Sequence, residues 1–430
     1  MSMALVYVAG ILALLGASLY VASSLFVLAF GTDYFSGGVL VGMAGNTAWT
    51  TMNEFILVAI PLFVMLGEIL TRSGVADRLY RALAHWVAWL PGGLIHANIF
   101  TCALFAAASG SSVATAATIG TVAQPTLHRL GYDKRLILGS IAAGGTLGIL
   151  IPPSINMIVF GALTGTSVGK LFAGGVIPGL LLALTMSLIV IVLTLVRGSK
   201  AARLEERLTL AGRIRSLVTV VPVMLVFLIV MGSIYLGIAT PTEAAAMGIA
   251  AALLLAAANR TLSIGMLHAA FLSTIKTTSM ILLVIVGAFI LNFQLSFVGL
   301  PQAFASWIVE QKLGPLQTIW LLVAFYAVLG CFLEAIAMLV TTIGVVFPVV
   351  VQLGYDPVWF GIFMTVLMEM ALITPPVGLN LFVVQNIRTD NGTMSDVYLG
   401  VLPFVVAMFL FLAVLIHFPQ IALWLPSKLF

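Results

Sequence analysis

Charged residues are the scarcest class in this sequence. Only 18 Lys and Arg and 14 Asp and Glu occur among 430 residues, or 7% of the chain, whereas a soluble domain carries about 25%. Hydrophobic residues make up 62%, in runs without the period-two alternation of membrane β-strands. Lipid cannot satisfy free backbone groups, so a membrane chain of this kind must be helical. The composition therefore excludes a large soluble domain and predicts an all-α polytopic membrane protein.

Signatures of enzymes, metal sites and nucleic-acid binding are also missing. The cysteines, Cys102 and Cys331, lie in apolar stretches, and the five histidines have no ligand spacing. The sequence contains neither a His-Glu-x-x-His motif nor a Walker A motif. The net charge of +4 comes from short basic runs between apolar spans, as the positive-inside rule predicts. We therefore expect no enzyme, no cofactor, no ATP hydrolysis and no nucleic-acid partner.

Apolar segments occupy most of the chain. Residues 4–30 predict one long span or two short ones, and we expect a first membrane span here and not a removed signal peptide. Residues 75–90 and 299–313 are amphipathic, which predicts helices lying in the membrane interface. Residues 197–215 form the main polar interruption, with six basic residues against two Glu. We place this loop in the cytoplasm.

Two neighbouring apolar segments are too short to cross a membrane alone. Residues 93–107 and 113–127 have about 15 residues each, whereas a crossing needs about 20. The polar tip Ser109-Gly110-Ser111-Ser112 joins them. This pattern predicts a re-entrant hairpin, which is tolerated where protein or a water-filled cavity surrounds it.

An internal repeat relates the two halves of the chain. Pro125 and Pro348, Gly131-Tyr132-Asp133 and Gly354-Tyr355-Asp356, and Pro152-Pro153 and Pro375-Pro376 all stand 223 residues apart. The same offset places the second hairpin tip near residues 330–335. Basic residues surround the first Gly-Tyr-Asp loop and are missing from 352–358, so the loops should face opposite sides of the membrane. The sequence therefore predicts two inverted repeats, an architecture typical of secondary transporters.

Each half combines a hairpin tip with a double proline inside an apolar helix. Proline removes a helical N–H and frees a carbonyl one turn earlier. Freed carbonyls and nearby hydroxyls can hold a cation, while the N-termini of half-helices attract an anion. A cation bound beside an anion is the chemistry of ion-coupled carboxylate transport. The alternative interpretation is that these small residues serve only the close packing of membrane helices.

A few ionisable residues lie in apolar surroundings, where they are candidates for function. Glu334 is at the second hairpin tip, where it could bind a cation or titrate, or be a hydrogen-bonded structural carboxylate. Glu369 precedes the second double proline. Lys276 stands just before the span predicted at 277–297, which suggests a lysine at a helix start.

Several motifs resemble the large membrane subunit, or DctM-like component, of tripartite ATP-independent periplasmic (TRAP) transporters. The similarity extends over nearly the whole chain, and the segments that carry it are Ala59-Ile60-Pro61-Leu62-Phe63, Ser109–Thr115, Ala142–Ser154, Gly169-Lys170-Leu171-Phe172, Ile177-Pro178-Gly179 and Thr374–Asn380. The resemblance implies an elevator-type fold, in which a transport domain with both hairpins and both broken helices slides against a scaffold. The implied division is 1–92 (N-terminal scaffold and arm), 93–165 (hairpin 93–127, broken helix 136–163), 166–313 (scaffold, cytoplasmic loop and second arm), 314–388 (hairpin 315–351, broken helix 358–387) and 389–430 (C-terminal scaffold helix).

The resemblance also implies the binding residues. One sodium site would use Ser109, Gly110, Ser111, Ser112, Gly145 and Pro152, and a second would use Glu334, Thr374, Pro375, Gly378 and Asn380. The substrate would contact Ser112, Thr115, Pro153, Asn156 and Asn380. The family often has Asp where this chain has Glu334, and one more methylene changes the reach of that carboxylate.

The function implied is sodium-coupled import of an organic acid, such as a sialic acid or a C4-dicarboxylate, across the bacterial inner membrane. The implied partners are a periplasmic substrate-binding protein, DctP-like, and a separate small membrane subunit, DctQ-like. Two alternatives stay open at this point. One is a proton-coupled carboxylate carrier that uses Glu334, and the other is a passive anion channel.

Overall fold

The computed structural model describes residues 19–197, 220–390 and 392–430, together with positions 7, 9, 10, 13, 14, 16, 17, 212, 216 and 218. Within these residues every regular element is helical, which confirms the all-α prediction. Most of the basic loop predicted at 197–215 lies outside the described residues, as do parts of the predicted first span.

The helices described in the first half lie between residues 21 and 197. They are α1 (Val21–Ser36), α2 (Val39–Met52), α3 (Ala59–Arg72, after a 3-10 turn at Phe55–Val58), α4 (Val75–Val87), α5 (Leu94–Ser109), α6 (Ser112–Arg129), α7 (Lys134–Leu150), α8 (Ile155–Thr164) and α9 (Val168–Arg197). The helices α5 and α6 pack on each other as a hairpin, and α7 lies against both.

The helices described in the second half follow a similar order. They are α10 (Val221–Tyr235), α11 (Pro241–Ala258), α12 (Ile264–Phe297), α13 (Leu300–Glu310), α14 (Pro315–Leu329), α15 (Ala335–Gln352), α16 (Pro357–Ile373), α17 (Leu379–Asn386), α18 (Met394–His417) and α19 (Gln420–Leu429). Among the described residues, six helices are long and apolar enough to cross a membrane. The number rises to seven if α7 and α8, which meet at a 41° bend, count as one span.

The same local signals set the helix ends in both halves. Helices α6 and α15, and likewise α7 and α16, begin and end 223 residues apart. Asp133 and Asp356 each cap the following helix, with a carboxylate oxygen that accepts hydrogen bonds from backbone N–H groups two and three residues on. A carboxylate at this position satisfies free N–H groups and favours the positive end of the helix dipole.

The two hairpins differ at their tips. Only Gly110 and Ser111 separate α5 from α6, whereas residues 330–334 separate α14 from α15. A Cβ added to Gly330 would lie 2.2 Å from the Cβ of Ala371, so glycine lets the wider second tip approach α16.

Two helix boundaries differ from the sequence prediction. The helix predicted to start near 277 begins at Ile264, since Ser263 caps it by accepting a hydrogen bond from the Met266 N–H. Lys276 therefore lies inside α12 and not at a helix start. The C-terminal segment is two helices and not one, because Pro419 holds the preceding residue, Phe418, in a non-helical conformation.

Two long helices pack closely on the first broken helix. A Cβ on Gly139 of α7 would lie 2.1 Å from the Gly400 carbonyl oxygen of α18. A Cβ on Gly175 of α9 would likewise lie 2.5 Å from the Leu150 carbonyl oxygen at the end of α7. Glycines at both crossings bring the helix backbones together, so α9 and α18 form one packed body with α7.

A charge cluster joins the end of α17 to the start of α18. The Arg388 side chain is 2% exposed, and its guanidinium donates to both carboxylate oxygens of Asp390 at 2.6 and 2.7 Å. It also donates to Asp396 at 3.1 Å, and Lys134 of α7 lies 2.9 Å from the same oxygen of Asp396. The cluster therefore connects the second broken helix to the start of the first.

Replacing Asp390 with Asn should destabilise this junction at neutral pH. The hydrogen bonds from Arg388 hold the pKa of the Asp390 carboxyl below its ordinary value, so the ionised form stabilises the fold. Loss of these charge-assisted bonds should cost about 2 kcal/mol, measured as a lower unfolding midpoint in detergent. Because the pKa of Asp390 is lower in the folded state than in the unfolded state, its ionised form stabilises the fold. This stabilisation is fully present above the unfolded pKa of about 3.9 and is lost as the pH falls through the folded pKa. The difference between wild type and D390N should thus shrink in acid.

The exposed pair Arg81–Asp77 on α4 offers the matched control. D77N should change the unfolding midpoint little, because exposed i,i+4 pairs contribute only about 0.3–0.5 kcal/mol. An equal loss in D77N and D390N would contradict the role given to the cluster.

Candidate functional site

The first hairpin tip is a compact set of oxygen atoms. The hydroxyls of Ser109 and Thr115 lie 2.6 Å apart, and the Thr115 hydroxyl donates to the Ser111 carbonyl at 2.7 Å. Gly110 has a φ of +60°, and a Cβ on it would lie 3.0 Å from the Pro153 carbonyl oxygen. The tip therefore lies directly against the break in the first broken helix.

Glycines of α7 make the contact with the hairpin possible. A Cβ on Gly145 would lie 2.6 Å from the Ala116 Cβ, and one on Gly148 would lie 2.7 Å from the Ser111 carbonyl oxygen. Any larger side chain at Gly148 would push the tip away. The tip and the broken helix thus approach at backbone distance.

The first break spans residues 151–154 between α7 and α8. Pro152 and Pro153 are buried, and the peptide between them is cis, as is that of Pro375-Pro376. Ser154 caps α8 by accepting from the Met157 N–H, and its own hydroxyl donates to the Ile149 carbonyl at 2.6 Å. The start of α8 and the start of α6 at Ser111 are both helix N-termini, which favour an anion.

The second hairpin tip meets the second break in a more open arrangement. Glu334 caps α15, with a carboxylate oxygen 3.3 Å from the Ala337 N–H. The Cys331 thiol donates to the Pro375 carbonyl at 3.5 Å. Cys331 and Pro375 are partly exposed, and Pro376 is exposed, whereas both prolines of the first break are buried.

The second break contributes a hydroxyl and a glycine. The Thr374 hydroxyl donates to the Met370 carbonyl at 2.6 Å. Gly378 immediately precedes α17 with a φ of +25°, and a Cβ there would lie 2.8 Å from the Leu372 carbonyl oxygen. The Leu372 carbonyl, near the end of α16, thus lies against the start of α17.

Asn380 connects the two halves. Its side chain is fully buried, and its amide donates to the Ser112 hydroxyl at 2.7 Å and to the Ala142 carbonyl at 3.2 Å. Its amide oxygen, Oδ1, has no hydrogen-bond partner among the described residues. The family resemblance implied Asn380 for both the second sodium site and, with Ser112, the substrate site, and its described hydrogen bonds go to the first half of the chain.

The remaining substrate candidate, Asn156, faces elsewhere. Its amide lies 3.9 Å from the Met368 sulfur on α16. The structure therefore brings Ser112 together with Asn380, and Thr115 together with the first tip. It gives Asn156 a neighbour on the second broken helix.

Two contributors were missing from the predicted site. The Ala142 carbonyl has no signal in the sequence, because every residue carries one. The second missing contributor is Gly67 of α3, since a Cβ there would lie 2.8 Å from the Ser109 carbonyl oxygen. It marks the contact between α3 and the first hairpin tip. In the described part of the chain, no group of three or more His, Cys, Asp or Glu side chains could hold a metal ion.

Comparisons with known proteins agree on one family. The model of the DctM component of the tripartite ATP-independent periplasmic transporter matches residues 2–421. The chain is 37% identical over 381 residues to the C4-dicarboxylate TRAP transporter large permease protein DctM of Pseudomonas aeruginosa, covering 88% of each chain. It is 30% identical over 423 residues to the sialic acid TRAP transporter large permease protein SiaM of Vibrio cholerae, covering 97% of each.

Among solved structures, the chain is similar to the YdaH transporter of Alcanivorax borkumensis. The TM-score is 0.60 at 16% identity, with 93% of this chain and 89% of that chain covered. At this identity the likeness concerns the fold, which is that of a membrane transporter.

Proposed function

Because the chain belongs to the DctM family of tripartite ATP-independent periplasmic transporters, we propose that it imports an organic acid together with sodium by an elevator mechanism. The observation that supports this most directly is the bond between Asn380 and Ser112. It brings the second break to the first hairpin tip, so that half-helix N-termini and oxygen atoms of both halves converge.

Family membership already sets the coarse function. The chain is a TRAP transporter large permease of the inner membrane, and it is a transporter and not an enzyme. The DctM family works with a small DctQ membrane subunit and a periplasmic DctP-type binding protein.

The substrate we propose is a carboxylate, either a C4-dicarboxylate or a sialic acid. The names of the Pseudomonas and Vibrio relatives support these two classes. The start of α6 at Ser112 would favour a carboxylate through its free N–H groups. Thr115, Pro153 and Asn156 would complete the site.

We assign the first sodium ion to the contact of the first tip with the first break. The supporting geometry is the close approach of Gly110 to Pro153 and of Gly148 to Ser111. Oxygen atoms would come from the predicted set, which is Ser109, Gly110, Ser111, Ser112, Gly145 and Pro152. Hydroxyl and carbonyl oxygens are the ligands that unwound membrane helices offer to sodium.

We assign the second sodium ion to the second tip and break. The carboxylate of Glu334 and the carbonyl of Pro375 support this site, since Cys331 joins the tip to Pro375. Thr374 and Gly378 would provide further oxygens. Asn380 would contribute its Oδ1, which has no hydrogen-bond partner in the described part of the chain, at the boundary with the substrate.

The moving unit would hold both hairpins and both broken helices, and we add α9 and α18 to it. The sequence-based division places these two helices in the scaffold. Their glycine contacts with α7 at Gly139 and Gly175 leave no space for sliding along this surface.

Sodium should protect Cys331 from alkylation. Binding at the second site would draw the tip onto Pro375 and cover the thiol, which is now partly exposed. We expect a maleimide to label Cys331 several-fold more slowly in sodium than in potassium, read by mass spectrometry of the purified chain. The wild-type sequence serves directly, because the other thiol, Cys102, is fully buried.

C331S is the blank for this labelling, and E334Q should lose the protection. Equal labelling rates in sodium and potassium would contradict a sodium ion at this site. Protection that follows pH and ignores sodium would favour the proton-coupled carrier that uses Glu334.

A further inference from the structure

One buried carboxylate has no part in the proposed ion and substrate sites. Glu369 lies in α16, its side chain is fully buried, and neither carboxylate oxygen has a hydrogen-bond partner among the described residues. Burial without a hydrogen-bond donor strongly disfavours an ionised carboxylate, and such a group takes up a proton instead.

The internal repeat shows that packing does not demand a carboxylate here. Helices α7 and α16 have equivalent ends, and Thr146 stands 223 residues before Glu369. Thr146 is also fully buried, but its hydroxyl donates to the Ala143 carbonyl at 2.7 Å. The same position thus holds a satisfied neutral group in one half and an unsatisfied carboxylate in the other.

The surroundings of Glu369 on its own helix are apolar. Val366, Leu372 and Ile373 are one turn away on the same side. The hydroxyl of Thr365 is already donated to the Gly361 carbonyl. Ile362, two turns away on this face, packs against Gly174 of α9, so the face of α16 that carries Glu369 is turned toward α9.

Charged groups on the neighbouring helices lie near helix ends. Helices α7, α8, α9, α14, α15, α17, α18 and α19 pack on α16. Their titratable residues, with those of their caps and tips, are Asp133, Lys134, Arg135, Lys170, Arg197, Tyr326, Cys331, Glu334, Asp396, Tyr398, His417 and Lys428. Glu369 is twelve residues into α16, about 18 Å from its start, and no ion pair of the described residues includes it.

We propose that Glu369 is a proton-binding site that travels with the moving unit, so that one proton enters with the organic acid in addition to sodium. This inference rests on the proposed function. A proton adds to a carboxylate oxygen of Glu369 when the unit is open to periplasmic water. The O–H bond breaks, and the proton passes to water, when the unit is open to the cytoplasm.

The test uses the complete transporter in proteoliposomes, with a pH-sensitive dye inside and an inward sodium gradient. Uptake of labelled substrate and internal pH are recorded together for wild type and E369Q. We expect sodium-driven uptake in both, and about one proton more per substrate in wild type than in E369Q. Subtracting the E369Q value from the wild-type value cancels the protons that the organic acid itself carries into the vesicle. E310Q alters an exposed carboxylate of α13 and should behave as wild type.

A second measurement does not depend on transport and therefore tests Glu369 even if the E369Q variant fails to fold. The carboxylic acid carbonyl band of Glu369 should appear in infrared spectra of wild type at neutral pH, and E369D should keep such a band at a shifted position. Equal proton movement in wild type and E369Q, or none in wild type, would overturn the proposal. If the wild type showed no sodium-driven uptake, the proposed sodium coupling would be wrong. The role of Glu369 would still be tested, because proton movement in wild type can be compared with that in E369Q.

Discussion

Replacing Asn380 with Leu should reduce uptake about 100-fold in the complete transporter. The buried amide of Asn380 holds the Ser112 hydroxyl and the Ala142 carbonyl, and it thereby fixes the second break against the first hairpin. Leucine has a similar volume but donates no hydrogen bond. A displacement of about 1 Å in a binding site is enough for a loss of this size.

The chain offers a matched control for this variant. Asn98 is also fully buried, and its amide donates to the Ser140 hydroxyl at 2.9 Å, but between α5 and α7 away from both breaks. N98L should lower the free energy of unfolding by about 1–3 kcal/mol, as N380L should, but should retain uptake per folded molecule. Equal losses of uptake in N98L and N380L would mean that Asn380 is structural only.

Replacing Glu334 with Gln should raise the sodium concentration needed for half-maximal uptake about tenfold to a hundredfold. The carboxylate caps α15 and stands at the proposed second sodium site. Glutamine keeps the shape and an acceptor oxygen but removes the charge, and a charge-assisted bond contributes about 1.5–3 kcal/mol. Uptake at varied sodium, with a fixed membrane potential, measures this change.

The same variant separates the proposed coupling from its alternative. If Glu334 carried the driving proton, E334Q would abolish uptake driven by a pH gradient and sodium would have no effect in wild type. Unchanged sodium dependence in E334Q would remove Glu334 from the second site. E310Q, at the exposed end of α13, should leave the sodium dependence unaltered.

Features set by short stretches of sequence could be predicted. Scarce charge and long apolar runs predict the all-α membrane fold, which the structure confirms. Helix interruptions at Pro152-Pro153 and Pro375-Pro376 follow from the missing N–H groups of proline. The polar tip Ser109–Ser112 likewise predicts the turn between α5 and α6.

Features that depend on contacts between distant segments could not be predicted. Asn380 and Ser112 are 268 residues apart, and no spacing rule brings them together; only the family resemblance implied that both contact the substrate. The glycine contacts that attach α9 and α18 to α7 are equally invisible, because glycine is common in membrane helices for several reasons. The start of α12 at Ile264 depends on a cap at Ser263 that the apolar pattern does not display.

The most direct test of sodium-coupled import is substrate uptake in proteoliposomes that hold this chain, its small membrane subunit and the periplasmic binding protein. C4-dicarboxylates and sialic acids are offered in turn, with either a sodium or a proton gradient imposed. Our account predicts saturable uptake of one acid that an inward sodium gradient drives and that S111A or T374A weakens. Uptake that a proton gradient drives in the absence of sodium, or flux that follows the substrate gradient without any ion, would contradict it.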